Sequence, residues 1–269
     1  MALPLPSLVM VRAPALFISH GSPMFALEPG QAGAALRAIG ERVDTPSAVL
    51  VVSPHWMTQG LCVTASPLPA TIHDFGGFPP ELYRLHYAVP GHPALAEEVA
   101  ELLHAQGLPT HLDPLRGLDH GAWVPLLHLY PQRDVPVIQL SLPQALDPHA
   151  AYRLGLALAP LRDRGVMLVG SGSLTHNLHE VFRGKDVDGA YASEFAHWVR
   201  AAVQGREVDA LLDYRRRAPH AERAHPTEEH YLPLLVALGA SAVEDKVSLI
   251  DGGLSDGVLS MDGFVWEAA

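Results

Sequence analysis

Ala15 to Pro23 runs Ala-Leu-Phe-Ile-Ser-His-Gly-Ser-Pro, a short apolar run that stops abruptly at Ser19 and His20 before a Gly21 to Pro23 turn. A buried strand that delivers a histidine to its carboxyl end has this form. The pattern recurs at Ala48 to His55, Ala-Val-Leu-Val-Val-Ser-Pro-His, and again at Val166 to His176, Val-Met-Leu-Val-Gly-Ser-Gly-Ser-Leu-Thr-His. Open α/β sheets bind ligands beyond the carboxyl ends of their strands, so three strands ending in Ser and His would aim their imidazoles at one crevice. That is a metal site in outline, and the Gly21 to Pro23 turn is expected to clear space beside it.

The surrounding chain supports an α/β sheet. Gln31 to Arg42 has helical spacing, with Ala32, Ala35, Leu36 and Ile39 on one side. The continuous apolar run Val49 to Val52 then fits a strand covered on both faces, giving a βαβ opening. Further strands are expected at Leu61 to Ala65, Val135 to Ser141 and Val166 to Val169, with closing strands between Val247 and Trp266. Helices are expected at Leu95 to Gln106, Ala150 to Arg164, Ala190 to Val203 and Val208 to Tyr214. Another should begin at Pro226 and Thr227 and place His230 in its first turn. Ser66 to Pro93 is different, with six prolines, three glycines and the aromatics Phe75, Phe78, Tyr83 and Tyr87. Such a long irregular stretch is either functional or a surface excursion that packs its own aromatics.

Composition narrows the class. The chain has 269 residues, 48% of them hydrophobic, enough for a sizeable core and read as one domain over residues 1–269. A net charge of −11 with no basic patch disfavours nucleic acid and anionic membranes. The single Cys62 rules out an internal disulfide and a CxxC site and fits a reducing cytoplasm. Met1 to Met10 lacks a basic start and contains Pro4 and Pro6, a poor signal peptide, and no stretch reaches the roughly 20 apolar residues of a membrane span. A cytoplasmic protein is expected. Sixteen histidines is the abnormal count.

Of these, His20, His55 and His230 are candidate ligands, because imidazole suits zinc, iron, nickel or copper and three protein ligands leave a catalytic metal open positions. Each alone is as readily a strand-end or core histidine. Gly170-Ser171-Gly172-Ser173 offers a serine nucleophile or a phosphate cradle, but it is not the Gly-x-Ser-x-Gly elbow and no lysine follows.

Five ordered motifs resemble one family: Ser19-His20-Gly21-Ser22-Pro23, Ser53-Pro54-His55-Trp56, Asp119-His120-Gly121-Ala122-Trp123, Gly170 to Leu178, and His225-Pro226-Thr227-Glu228-Glu229-His230. The chain resembles, over nearly its whole length, the LigB-like class III extradiol dioxygenases, nearest to the 4,5-DOPA dioxygenase branch. The resemblance implies a three-layer α/β/α sandwich around a mixed, largely parallel sheet. It implies one divalent metal, Fe(II) for dioxygenase chemistry or Zn(II) as bound in that branch, with O2 as co-substrate and a catechol opened to a muconic semialdehyde. By the same resemblance His20 and His55 match metal ligands, and His230 or one of Glu228 and Glu229 supplies the third. His176 matches the acid/base histidine, which in this branch also reaches the metal, and His120 a second pocket histidine. Ile72 to Pro79 resembles the loop over the active site, making Asp74 and Phe75 substrate-binding candidates, with His73 and Gly76 standing where aromatics are expected. Two other readings use the same residues: a zinc-dependent hydrolase with Glu228 or Glu229 as base, and a metal-binding protein with a degenerate site.

Overall fold

The computed structural model describes residues 12–184 and 188–269; Met1 to Met10 lies outside the described residues. Ten strands are present among the described residues: β1 (Ala15–Ser19), β2 (Ala48–Thr58), β3 (Leu61–Thr64), β4 (Thr110–Asp113), β5 (Val137–Pro143), β6 (Val166–Gly172), β7 (Lys246–Ile250), β8 (Leu254–Ser255), β9 (Leu259–Ser260) and β10 (Gly263–Glu267). Eight form one sheet in the order β4-β3-β5-β2-β6-β1-β10-β7, and β8 and β9 form a separate hairpin. The central strands β5, β2, β6 and β1 are parallel. β10 joins β1 antiparallel, as β3 joins β5, so the sheet is mixed with a parallel heart.

The continuous apolar runs serve two cores, because alternate side chains of a strand face opposite sides. Leu16, Ile18, Val49, Val51, Met167 and Val169 pack under the helices Gly30–Arg42 and His120–Leu129. Ala15, Phe17, Leu50, Val52, Val166 and Leu168 pack against the helices Pro93–Ala105, Pro148–Leu158, Ala190–Gln204 and Leu232–Ala240. The result is the expected three-layer α/β/α arrangement. Among the described residues no helix is long and apolar enough to cross a membrane.

Three local expectations change. β2 does not stop at Val52 but continues through His55 to Thr58, with a register shift between Val52 and Met57. Pro54 cannot donate to the ladder, so the strand bulges there and re-aims His55. The last long helix begins at Leu232, with Pro233 in its first turn, so Pro233 rather than Pro226 marks the start and His230 precedes the helix in a turn. The helix expected from Ala150 to Arg164 becomes α-helix to Leu158 and then a 3-10 stretch around Pro160, which lacks the N–H that would continue it.

Candidate metal centre

β2, β6 and β1 lie side by side and parallel, so their carboxyl ends share one edge of the sheet. His20 leaves the end of β1, His55 sits on the bulge of β2, and His230 approaches from the turn before the last helix. Donor atoms of these three lie within 4.8 Å of one another. Gly121 makes room for one of them, because a Cβ there would press on Ser53 Oγ and come within 3.0 Å of His55 Cδ2.

Hydrogen bonds fix which nitrogen each ring presents. His20 Nδ1 meets Ser171 Oγ at 2.9 Å, and Ser171 donates its own proton to the Gly121 carbonyl. The serine must therefore accept from His20 Nδ1–H, which leaves His20 Nε2 bare. His230 Nδ1 donates to Glu229 Oε1 at 3.0 Å, and His230 Nε2 is buried without a partner among the described residues. His20 Nε2 faces His55 Nε2 at 3.1 Å, so without a cation a single proton must lie between two lone pairs. Bare, converging imidazole nitrogens backed by a hydroxyl and a carboxylate are the donor set of a divalent metal with oriented ligands. The residues fit the group.

Electrostatics keep the rings neutral, as ligation requires. Burial, then the charges of His55 and His120, holds His20 well below its ordinary value. Burial, then His176 and His55, does the same to His230. His55 is lowered to about 3, by burial and then His120, with Asp74 pulling the other way.

Two further histidines flank the trio. His176 stacks on His230 with ring centroids 3.5 Å apart and planes 8° from parallel, and it groups with His230 and Glu229 rather than with His20 and His55. Burial lowers it to about 4, against a raising effect from Glu229. His120 opens the helix His120–Leu129, 3.9 Å from His55 by centroid. Asp74 accepts from His120 N and from His120 Nδ1, both at 2.9 Å, so His120 also presents a bare Nε2. Burial would raise Asp74, but the His120 bonds and charge outweigh it and hold the carboxyl at about 2. Phe75 stands edge-on to His120 and joins Phe78, Tyr83 and Trp123 in an aromatic wall.

Of the two acidic alternatives for a third ligand, Glu228 accepts from Tyr214 Oη at 3.0 Å and pairs with Arg215, away from the cluster. Glu229 binds His230 Nδ1 from behind. The supporting roles of Ser171 and Glu229 were not visible in the sequence, where Ser171 read as a possible nucleophile and Glu229 as a possible ligand. Asp74, expected as a substrate contact, has each of its oxygens within hydrogen-bond distance of His120.

Comparison with known proteins identifies the family. Residues 14–253 match the family model for the catalytic LigB subunit of aromatic ring-opening dioxygenase. The chain is 40% identical over 252 residues to a 4,5-DOPA dioxygenase extradiol of Beta vulgaris, covering 92% of this chain and 94% of the relative. It is 42% identical over 255 residues to the protein of that name from Escherichia coli K12, covering 93% of each. A crystal structure of an uncharacterised Escherichia coli K12 protein superposes with a TM-score of 0.79 at 36% identity, over 94% of this chain and 99% of that one. With its histidine-lined strand ends and these relatives, the chain belongs to the LigB family and is an extradiol aromatic ring-opening dioxygenase.

Proposed function

We propose that the ring opened is that of a DOPA-like catechol, that the metal is iron(II) held by His20, His55 and His230, and that the enzyme works in the cytoplasm. The observation that carries the reading is the set of three converging donors with His176 and His120 beside it. The names of the relatives support the substrate class, and the free Cys62 suits a reducing compartment. A bound iron(II) would supply Lewis acidity toward the catechol oxygens and an electron for O2.

The chain's own residues supply the rest. His176, neutral at pH 7, has no ring hydrogen bond to the described residues, so it is free to take a catechol proton and return it to the ring-opened product. His120, its Nδ1–H tied to Asp74, offers Nε2 as an acceptor for a substrate hydroxyl. Phe75 and its aromatic neighbours give the catechol an apolar wall against which to lie. Glu229 behind His230 and Ser171 behind His20 hold the ligand rings in place.

Anaerobic loading with iron(II), then addition of DOPA and O2, should give stoichiometric O2 uptake and a yellow ring-opened product. No uptake with DOPA or any simpler catechol would overturn the reading.

A further inference from the structure

We infer that His225, which lies outside the donor cluster, is a positioning residue for His176. The inference rests on the ring-opening reading above, in which His176 moves the protons. His176 follows the end of β6 by four residues, on a segment without regular structure, so something other than the sheet must fix its ring. That segment is laced to the chain leading into His230. Ser173 N donates to the His230 carbonyl at 3.0 Å, His176 N to the Ala224 carbonyl at 2.8 Å, and Asn177 Nδ2 to the Arg223 carbonyl at 2.7 Å.

The Leu174 peptide is gripped on both sides. Its N–H donates to Ser19 Oγ at 2.9 Å, and its carbonyl accepts from His225 Nε2 at 2.9 Å. Ser19 in turn donates to the Asp262 carbonyl at 2.6 Å, so the peptide is pinned between the end of β1 and His225. A carbonyl only accepts, so the His225 proton is on Nε2. Its Nδ1 is buried with no partner among the described residues. Among them the ring's single hydrogen bond is therefore the one to Leu174.

The surroundings argue that this bond is why a histidine stands here. His225 is fully buried, edge-on to Phe195, Tyr214 and Tyr231, with centroids 5.5, 6.2 and 5.4 Å away. For packing alone a phenylalanine would fill this aromatic cage without leaving a ring nitrogen unsatisfied. An imidazole adds one thing, a donor at a fixed point under the Leu174 carbonyl. Two residues further on stands His176, stacked on His230.

The two substitutions that separate donor from packing are His225→Phe, which keeps the ring, and His225→Gln, which keeps a donor at similar reach. In the iron-loaded enzyme His225→Phe should lower kcat by ~10–100-fold, the scale of a misplacement near 1 Å, with KM and iron content within about twofold of wild type. His225→Gln should keep most of the turnover while melting at a lower temperature than His225→Phe. In a double-mutant cycle, adding His225→Phe to His176→Ala should cost nothing further, because both changes remove the same function. Carbethoxylation of His176 in the metal-free protein, followed by mass spectrometry, gives a readout independent of turnover, and it should be faster in His225→Phe than in wild type. Multiplicative losses in the cycle, equal damage by Phe and Gln, an unchanged His176 reaction rate, or failure of either variant to fold would overturn the inference. A wild-type enzyme inert toward catechols with His176 still released by His225→Phe would instead sink the ring-opening reading and leave the positioning role standing.

Discussion

Glu229 touches the donor cluster at His230 and is not grouped with His20 and His55. Its Oε1 accepts from His230 Nδ1 and from Thr227 Oγ1, both at 3.0 Å, and the bond fixes the tautomer that leaves His230 Nε2 free. Glu229→Gln should therefore weaken iron(II) affinity by ~10–100-fold, the usual effect of losing a ligand's carboxylate partner. Titration against a competing chelator measures it, and an unchanged affinity would remove Glu229 from the site. The buried rings also predict a pH dependence for the metal-free protein. Folding holds His55 at about 3 and His176 at about 4, against 6.5 when unfolded. Between those values the unfolded chain binds more protons than the folded one, so stability rises with pH. It should be complete above pH 6.5 and fall away as the pH drops toward 4, read as a declining melting temperature of the chelated protein. A flat profile there would mean the rings are not buried neutral. His20 and His55 stood out in the sequence because the same ending, an apolar run followed by serine and histidine, recurs on strands whose carboxyl ends share one edge. Glu229 was not assignable, because adjacent residues normally point apart and only the turn before Leu232 brings its carboxylate back to His230 Nδ1.

At the scale of elements, the turn after β1 departs from the expectation drawn from its sequence. From the sequence, the turn at Gly21 is expected to clear space for the reacting groups, which would make a side chain there harm activity more than folding. In the structure Gly21 has φ +58, and a Cβ would stand 2.5 Å from Met261 Sδ, a residue of the closing segment. Gly21→Val should therefore destabilise the fold by at least the ~1–2 kcal/mol cost of a left-handed residue with a side chain, and lose turnover with it because His20 is the next residue. Urea unfolding alongside turnover decides this, and a loss of activity at unchanged stability would restore the space-clearing role. The central strands were legible because burial on both faces makes them mostly apolar, with Gln139 and Ser141 of β5 among the buried polar exceptions. β4 was missed: Thr110–Asp113 is a half-exposed edge strand, Thr-His-Leu-Asp, with no apolar run to betray it. The bulge at His55 was missed for another reason. Pro54 looked like a turn after the strand, and only pairing of Met57 with Leu142 shows that β2 resumes beyond it.

The whole molecule separates its stability from its chemistry. Arg162 donates to the Ala13 and Ala240 carbonyls and to Asp245 Oδ2 at 2.7, 2.9 and 2.6 Å, in full burial. It ties the chain just before β1 to the end of the last long helix, at the opposite end of the parallel strands from His20 and His55. Removing one partner of a buried pair leaves a charge uncompensated, so Arg162→Met should cost about 3–5 kcal/mol, with kcat of the folded fraction unchanged. The sequence could not announce this pair, because Arg162 and Asp245 are far apart along the chain and each looks like a surface charge. The donor cluster has the opposite character. Its nitrogens oppose one another, and a cation bound there would stabilise the folded chain over the unfolded one. At a free iron(II) concentration about a thousandfold above its dissociation constant, binding should stabilise the protein by about 4 kcal/mol, read anaerobically as a rise in melting temperature reversed by chelator. In His20→Ala and His55→Ala the rise should vanish, whereas His176→Ala should keep most of it while losing turnover. Loss of the rise in His176→Ala as well would make His176 a fourth ligand and return the proton transfers to His120.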